Sequence, residues 1–201
     1  MKKKINILVG THNAGKFKEL SNLLPKKFKK ISPNELRIKS PKETGKTFLA
    51  NAKLKAKYFY QKSKIMSLSD DSGLSVKCLN GKPGIHSARF AKKYGGFKKA
   101  MKKIIKDIEI KKKKKKIFSY EAEFVCSLSV YDKSGKFKNS VGKVKGVISK
   151  KIAGKNGFGY DSIFIPNNHK ITFGQMSKRK KMMIDHRFQA YEKLKKNFNL
   201  F

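Results

Sequence analysis

Two adjacent acidic residues, Asp70 and Asp71, follow the apolar run at residues 65–68 and precede Ser72 and Gly73. The apolar run predicts a buried strand, and strand ends are where α/β proteins bind ligands. Carboxylates bind hard cations such as Mg²⁺ and can accept a proton from an attacking water. Because the chain has only 13 Asp and Glu residues, the pair is a candidate catalytic or metal site. Adjacent acids are also common in turns, so a simple turn is the alternative.

A second candidate is the segment G-T-H-N-A-G-K at residues 10–16, which lies between a predicted strand and a predicted helix. Its spacing fits the Gly and Lys positions of a phosphate-binding loop, but Phe17 replaces the hydroxyl residue that holds Mg²⁺ in that loop. Backbone N–H groups at a helix start, the Thr11 hydroxyl and the Lys16 ammonium still suit an anionic phosphate chain. A plain strand-turn-helix connection is the alternative.

Three further groups have side chains suited to a nucleotide. Glu43 precedes a predicted helix that contains Lys55, for which a solvated lysine is the default interpretation. Residues 157–161, G-F-G-Y-D, combine a ring that could stack on a purine with a carboxylate, although a glycine-rich bend has the same composition. His186 and Arg187 are donors suited to carbonyl acceptors, and a helix-surface pair is the alternative.

Apolar periodicity predicts four helices around these groups. The first has Phe17, Leu20 and Leu24 on one face and is closed by Pro25; the second covers residues 44–64; the third has Phe97, Met101, Ile104, Ile105 and Ile108 on one face. A lysine run at 111–116 is expected to be a solvated loop. Ser177 is expected to open a final helix with Ile184, Phe188, Tyr191, Leu194 and Phe198 inward.

Strands are predicted at residues 5–9, 65–68, 74–79 and 163–165, the last after a glycine-rich loop at 154–159. The clearest strand is at 118–130, where apolar residues alternate strictly, and a turn at 132–135 leads into a partner strand that ends near Ser149. Helices that alternate with strands, together with one long hairpin, predict an α/β fold with a mixed sheet.

Length and charge limit the function classes. The chain has 201 residues, which favours a single domain, and its formal net charge is +38. Only four of the 51 basic residues are arginines, and the lysines are spread along the whole chain. A dedicated nucleic-acid-binding protein more often has arginines and a localised basic stripe. We therefore expect a solvated lysine-rich surface, inflated by coding bias, and no specific nucleic-acid partner.

Location is inferred from what the sequence lacks. The two cysteines, Cys78 and Cys126, lie in apolar runs and are expected to be buried thiols. Asn6 and Gly10 interrupt the first apolar run, which argues against a signal peptide, and no run approaches the length of a membrane span. A soluble cytoplasmic protein without membrane contact is expected.

Taken in order, six segments resemble the inosine/xanthosine triphosphate pyrophosphatase family, also called the Ham1-like family. The resemblance covers nearly the whole chain. The segments are residues 11–16 with Glu19, residues 43–45 with Thr47, Phe48, Asn51 and Ala52, residues 69–74, residues 83–90, residues 157–161 and His186-Arg187.

This resemblance implies an elongated α/β domain, usually a homodimer, that uses Mg²⁺ to hydrolyse ITP, dITP or XTP to the monophosphate and pyrophosphate. By position in the family pattern, Glu43 and Asp71 would hold the metal, and Asp71 would also accept the proton of the attacking water. The phosphates would be bound by Thr11, His12, Asn13, Ala14, Gly15, Lys16 and Lys55, with Ser72 beside the substrate. The base would be bound by Phe158, Gly159, Tyr160, Asp161, Lys181, His186 and Arg187.

The chain departs from the family pattern at a few positions. His12 replaces the usual Gly, Asp185 replaces the usual Ser, and residues 178–180 are basic where acids normally precede Lys181. Two other function classes remain as alternatives. A small P-loop-like kinase or NTPase would leave ADP and orthophosphate, or a phosphorylated acceptor, rather than pyrophosphate. A basic nucleic-acid-binding protein would bind in a strongly salt-dependent manner.

Overall fold

The computed structural model describes residues 4–114 and 119–198. The strands in these ranges are β1 (Ile5–Val9), β2 (Phe28–Ile31), β3 (Ser67–Val76), β4 (Glu121–Tyr131), β5 (Phe137–Ile148) and β6 (Phe164–Pro166). The helices are α1 (Ala14–Leu23), α2 (Phe48–Ser63), α3 (Ser87–Lys93), α4 (Phe97–Lys114), α5 (Lys178–Met182) and α6 (His186–Phe198). No helix in the described ranges has the length and apolarity needed to cross a membrane.

The strands form one six-stranded sheet in the order β2-β1-β3-β4-β5-β6. β1 pairs in parallel with both β2 and β3, whereas β5 and β6 pair antiparallel. The sheet is therefore mixed, and helices flank it, which confirms the predicted α/β fold class.

Contacts divide the described residues into two compact units, each with its own apolar core. The first unit comprises residues 4–71, 126–142 and 186–198, and its main core includes Ile7, Leu20, Leu68, Leu128 and Leu194. The second unit comprises residues 72–114, 119–125 and 143–185, and its core includes Leu74, Ile104, Phe124, Phe164 and Phe173. The candidate site residues described below fall into two groups, one in each unit.

Helix α1 follows the predicted phosphate loop directly. The Asn13 side chain accepts a hydrogen bond from the Lys16 N–H over 3.0 Å and so caps the first turn. The helix ends at Leu23, just before Pro25, whose ring is incompatible with a continuing helix.

Helix α2 begins at Phe48, so the prediction of a start at Thr44 is wrong. The Thr47 hydroxyl accepts the Ala50 N–H over 3.0 Å and caps the helix, which leaves residues 44–46 outside it. Apolar periodicity could not locate this boundary because the stripe itself begins only at Phe48.

Strand β3 corrects the prediction of two strands separated by a turn. It is continuous, so Asp70 and Asp71 lie inside the strand. Pairing with β1 ends where Leu68 lies opposite Val9, so both acids lie just beyond the carboxyl end of β1. Turn propensity fails here because both carboxylates are buried against cations, and such tertiary contacts override local preference.

Several other boundaries differ from the prediction. Residues 111–114, predicted as loop, extend α4, since lysine is a good helix former; residues 115–116 lie outside the described ranges, as does Phe118 of the predicted strand. Residues 77–79 form a short 3₁₀ turn rather than a strand. The hairpin of β4 and β5 is confirmed, whereas β2 and α3 were not predicted.

The predicted final helix is two helices, α5 and α6, separated at residues 183–185. Apolar periodicity continues across the break, so it could not distinguish one helix from two. Phe198, expected to point inward, is exposed because it lies on the last turn of α6.

Candidate functional site

The predicted phosphate loop connects β1 to α1. The Asn13 N–H donates to the Thr11 hydroxyl oxygen over 3.2 Å, and residues 11–16 are exposed or half-buried. A helix start with accessible backbone is suited to an anion, because its first N–H groups have no intrahelical acceptor.

Gly10 lets this loop pass close to the neighbouring strand and helix. A Cβ at this position would lie 2.1 Å from Ser69 Oγ and 2.5 Å from Phe59 Cδ2. The first glycine of the segment is therefore required by packing, whatever the loop binds.

Lys16 forms an ion pair with Asp70 across the loop, with Nζ 3.0 Å from Oδ2. The Asp70 side chain is wholly buried. Burial alone would raise the pKa of Asp70, but nearby cations outweigh it and hold that pKa well below its ordinary value. The cations are Lys16, Lys55 and Arg187.

Asp71 belongs to a second polar cluster of the first unit. The Asn51 Nδ2 donates to Asp71 Oδ2 over 3.0 Å. The Lys55 ammonium donates to Glu43 Oε1 over 2.6 Å and lies 3.8 Å from Asp71 Oδ1. The structure thus brings together Glu43, Lys55 and Asp71, three of the residues predicted for metal and phosphate binding.

The pKa values of Asp71 and Lys55 are both raised, but by different causes. Burial, helped by the nearby Glu43 carboxylate, raises the pKa of Asp71 to about 6 despite the neighbouring lysines. Burial would lower the pKa of Lys55, but the carboxylates around it raise the pKa instead. Asp71 is therefore a carboxylate whose pKa suits proton exchange near neutral pH, which is a common property of general bases.

The carboxylates of Glu43 and Asp71 could supply part of the coordination shell of a divalent cation. The described residues contain no cluster of three or more His, Cys, Asp or Glu side chains able to hold a metal. Glu43 and Asp71 provide two carboxylates around one ammonium, and Mg²⁺ typically binds one or two carboxylates while substrate phosphates and water complete its shell. The residues present fit a metal that is bound together with a phosphate chain.

The second unit has its own charged cluster. Lys181 Nζ lies 2.8 Å from Asp161 Oδ2, and both side chains are almost fully buried. The same ammonium lies 5.0 Å from the centroid of the Phe158 ring, within cation–π range. Asp161 Oδ2 also accepts the Phe158 N–H over 2.8 Å, so this carboxylate holds the loop closed on itself.

Tyr160 and Gly157 support that loop. The Tyr160 hydroxyl donates to the Ser87 carbonyl over 2.8 Å, and burial raises the pKa of this phenol. Gly157 has φ +73°, and a Cβ there would lie 2.1 Å from Asp161 Oδ2. Phe158 and Gly159 are half-buried and accessible to a ligand, whereas Tyr160 and Asp161 are buried.

His186 and Arg187 begin α6 in the first unit, and both are buried. Arg187 Nη1 lies 3.1 Å from Glu19 Oε2 and donates to His186 Nε2 over 2.8 Å. The guanidinium therefore connects α6 to α1, in addition to any contact with a ligand.

His12 departs most clearly from its predicted role. Its Nε2 lies 3.0 Å from the Ile38 carbonyl oxygen, and its Nδ1 lies 2.6 Å from Ser40 Oγ. Both ring nitrogens are engaged by the chain, although the residue itself is exposed. Ser72, predicted to lie beside the substrate, is the half-buried neighbour of Asp71 on β3.

Sequence reasoning omitted Asn51 from the site. Asn51 is wholly buried, binds Asp71 and accepts the Gly45 N–H over 2.8 Å. The available signal was an amide on the apolar stripe of α2, one turn before Lys55, where a buried polar group must find partners.

Comparisons with known proteins cover nearly the whole chain. The model of the Ham1 family matches residues 7–197. The dITP/XTP pyrophosphatase of Caulobacter vibrioides is 39% identical, with 94% of this chain and 95% of that protein covered. The dITP/XTP pyrophosphatase of Zymomonas mobilis is 36% identical, with 94% and 89% covered. A solved HAM1 protein structure from Coxiella burnetii superposes with a TM-score of 0.86 at 30% identity, covering 97% of this chain and 98% of that one.

Proposed function

Because this chain belongs to the Ham1 family, we propose that it hydrolyses the non-standard purine nucleotides ITP, dITP and XTP to the monophosphate and pyrophosphate in a Mg²⁺-dependent reaction. The whole chain acts as one nucleoside triphosphate pyrophosphatase domain and removes these nucleotides from the pool.

The observation that best supports this proposal is the arrangement around Asp71. A buried carboxylate is held by the Asn51 amide and faces a lysine that also binds Glu43. In the proposed reaction, Asp71 accepts the proton of the water that attacks the α-phosphorus. Asn51 fixes the carboxylate so that Oδ1 faces the charged cluster.

Glu43 and Asp71 are the proposed metal ligands. When bound, Mg²⁺ would neutralise charge on the phosphate chain and help the pyrophosphate depart. Lys55 lies between the two carboxylates, and its proposed role is to bind the phosphate chain and stabilise the departing pyrophosphate.

The phosphate loop supplies the remaining phosphate contacts. The proposed ligands are Thr11, Asn13, Ala14, Gly15 and Lys16, which lie at the accessible start of α1. The ion pair with Asp70 orients the Lys16 ammonium without consuming all three of its donors.

The base is proposed to contact two sets of residues, which we assign by family position. Phe158 and Gly159 offer an accessible ring and backbone, and Tyr160, Asp161 and Lys181 hold them in place. His186 and Arg187 offer donors to a 6-keto oxygen. Such donors would leave the amine of adenine unpaired, which costs roughly 1 to 3 kcal/mol.

The remaining parts of the proposal are a homodimer, a cytoplasmic location and no specific nucleic-acid partner. The homodimer is supported by the family resemblance, and the other two by sequence composition. A small P-loop-like NTPase or kinase is disfavoured by Phe17, which occupies the position of the metal-binding hydroxyl.

Asp71→Asn tests the catalytic assignment. The amide keeps the shape of the side chain but cannot accept the proton, so kcat for ITP should fall by at least about 10² to 10⁴ while the far-UV spectrum is unchanged. Asp107→Asn on α4 is the matched control and should keep normal activity. A folded Asp71→Asn protein with near-normal turnover would refute the role given to Asp71.

A further inference from the structure

The imidazole of His12 makes two hydrogen bonds to one neighbouring segment. Because the Ile38 carbonyl can only accept, Nε2 carries a proton and donates to it over 3.0 Å. In the neutral ring, Nδ1 then accepts from the Ser40 hydroxyl over 2.6 Å. The side chain is thus fully used by the protein and is unsuited to be a phosphate ligand.

The segment that His12 binds contains a proposed metal ligand. We call residues 38–45 the strap; it has no regular secondary structure and lies between β2 and α2. Its far end is fixed where the Gly45 N–H donates to Asn51 Oδ1 over 2.8 Å. Glu43 lies between these two attachments and points to Lys55.

The strap is also held by the Ile38 N–H, which donates to the Pro33 carbonyl over 2.9 Å, and by the ion pair between Glu43 and Lys55. Ile38 packs against the small core formed by Leu8, Ile31 and Phe59, but the residues that follow are exposed or half-buried. A segment with little burial opens at low free-energy cost unless specific contacts close it. The Lys55 ion pair holds the Glu43 carboxylate directly, and the two bonds from His12 hold the backbone that carries it.

We propose that His12 is a positioning residue. Its two hydrogen bonds hold the strap against the phosphate loop and thereby order Glu43 for the metal-bound phosphate chain. This inference rests on the proposed function, because it takes Glu43 as a metal ligand. A metal-binding carboxylate that is already ordered raises the affinity for the metal, because less conformational entropy is lost on binding.

The test compares His12→Ala, Ser40→Ala and the double variant. Three quantities are measured: the Kd for Mn²⁺ by electron paramagnetic resonance without nucleotide, hydrogen exchange of residues 38–45, and KM for ITP. His12→Ala should weaken Mn²⁺ binding and raise KM, each by about 3- to 10-fold, with faster exchange confined to the strap and kcat changed less than KM.

Ser40→Ala should give smaller changes in the same direction. Because His12 and Ser40 act through the same hydrogen bond, the double variant should resemble His12→Ala within about twofold. It should not show the product of the two separate effects. His169→Ala is the matched control, since its ring contacts the Asn167 carbonyl in the second unit and not the strap; it should alter none of these quantities.

Three results would overturn the proposal. If His12 binds phosphate directly, KM rises in His12→Ala while the Mn²⁺ affinity and the hydrogen exchange of the strap stay at wild-type values. Ser40→Ala then behaves like the wild-type protein in all three measurements. If His12 is merely structural, thermal stability falls but the folded variant keeps wild-type Kd and KM. If the effects of His12→Ala and Ser40→Ala multiply in the double variant, the two residues act independently, which also contradicts the proposal. Failure of the proposed function is distinct, because the wild-type protein would then not hydrolyse ITP although strap exchange still responded to His12→Ala.

Discussion

The Lys16 ammonium lies 3.0 Å from Oδ2 of Asp70, so the end of the proposed phosphate loop is ion-paired to a buried carboxylate of β3. The next residue, Asp71, has a different environment because successive side chains of a strand point to opposite faces. Cations hold the pKa of Asp70 below its ordinary value, whereas burial raises the pKa of Asp71 to about 6. The two neighbouring acids therefore differ: Asp70 is ion-paired to the loop, whereas Asp71 has a pKa suited to proton exchange near neutral pH.

Asp70 should make the folded protein sensitive to acid. Its folded pKa lies below the ordinary value of 3.8, so its stabilisation is present above that pH and is lost as pH falls through the folded value. Asp70→Asn should lower the free energy of unfolding by about 1.5 to 3 kcal/mol at pH 7 and by less at pH 3. Urea titrations at pH 7, 5 and 3 measure both.

Glu121→Gln is the matched control for Asp70→Asn. It removes a carboxylate from the exposed ion pair with Lys77, which water already screens, and should change the unfolding profile little. An equal loss of stability at pH 7 and pH 3 in Asp70→Asn would show that Asp70 contributes through packing and not through charge.

Two glycines of the 157–161 loop offer a matched pair. Both have positive φ, +73° at Gly157 and +67° at Gly159, so alanine is strained at either position. Only at Gly157 would the new Cβ meet Asp161 Oδ2, at 2.1 Å, whereas at Gly159 the nearest atom is 3.7 Å away. Gly157→Ala should therefore lower the free energy of unfolding by about 1 to 3 kcal/mol more than Gly159→Ala. Equal losses in chemical denaturation would show that the Asp161 carboxylate does not pack against Gly157.

Arg187 is the residue on which base selection can be tested. Arg187→Ala should lower the ratio of kcat/KM for ITP to that for ATP by about 10- to 150-fold, because only the keto base loses a charge-assisted hydrogen bond. The ratio is unaffected by the fraction of active protein, which matters because the variant also loses the ion pair to Glu19.

Lys55→Ala is the comparison for Arg187→Ala. A phosphate contact serves both nucleotides, so both kcat/KM values should fall while their ratio stays within a few fold. A variant of Lys55 that changes the ratio, together with an Arg187 variant that does not, would require the two roles to be exchanged.

The sequence was most informative where periodicity or spacing is a local property. The strict alternation before Tyr131 and the turn after it predicted the β4–β5 hairpin, and the glycine-rich segment predicted the loop that leads into α1. Local propensity failed at Asp70 and Asp71, since their burial inside β3 depends on lysines that are distant in the chain.

The site shows the same division. The family resemblance implied that Glu43, Lys55 and Asp71 belong to one site, and in the structure the three side chains lie close to one another. The amide of Asn51 and the double engagement of His12 could not be predicted, because each requires knowing which long-range partners come within hydrogen-bond distance.

The most direct test of the central claim is the hydrolysis of ITP with Mg²⁺ in ¹⁸O-labelled water, followed by mass analysis of the products. Attack of water on the α-phosphorus predicts IMP that contains one ¹⁸O atom and pyrophosphate that contains none, formed in a single step. Orthophosphate as the primary product, or label in the pyrophosphate, would contradict the account.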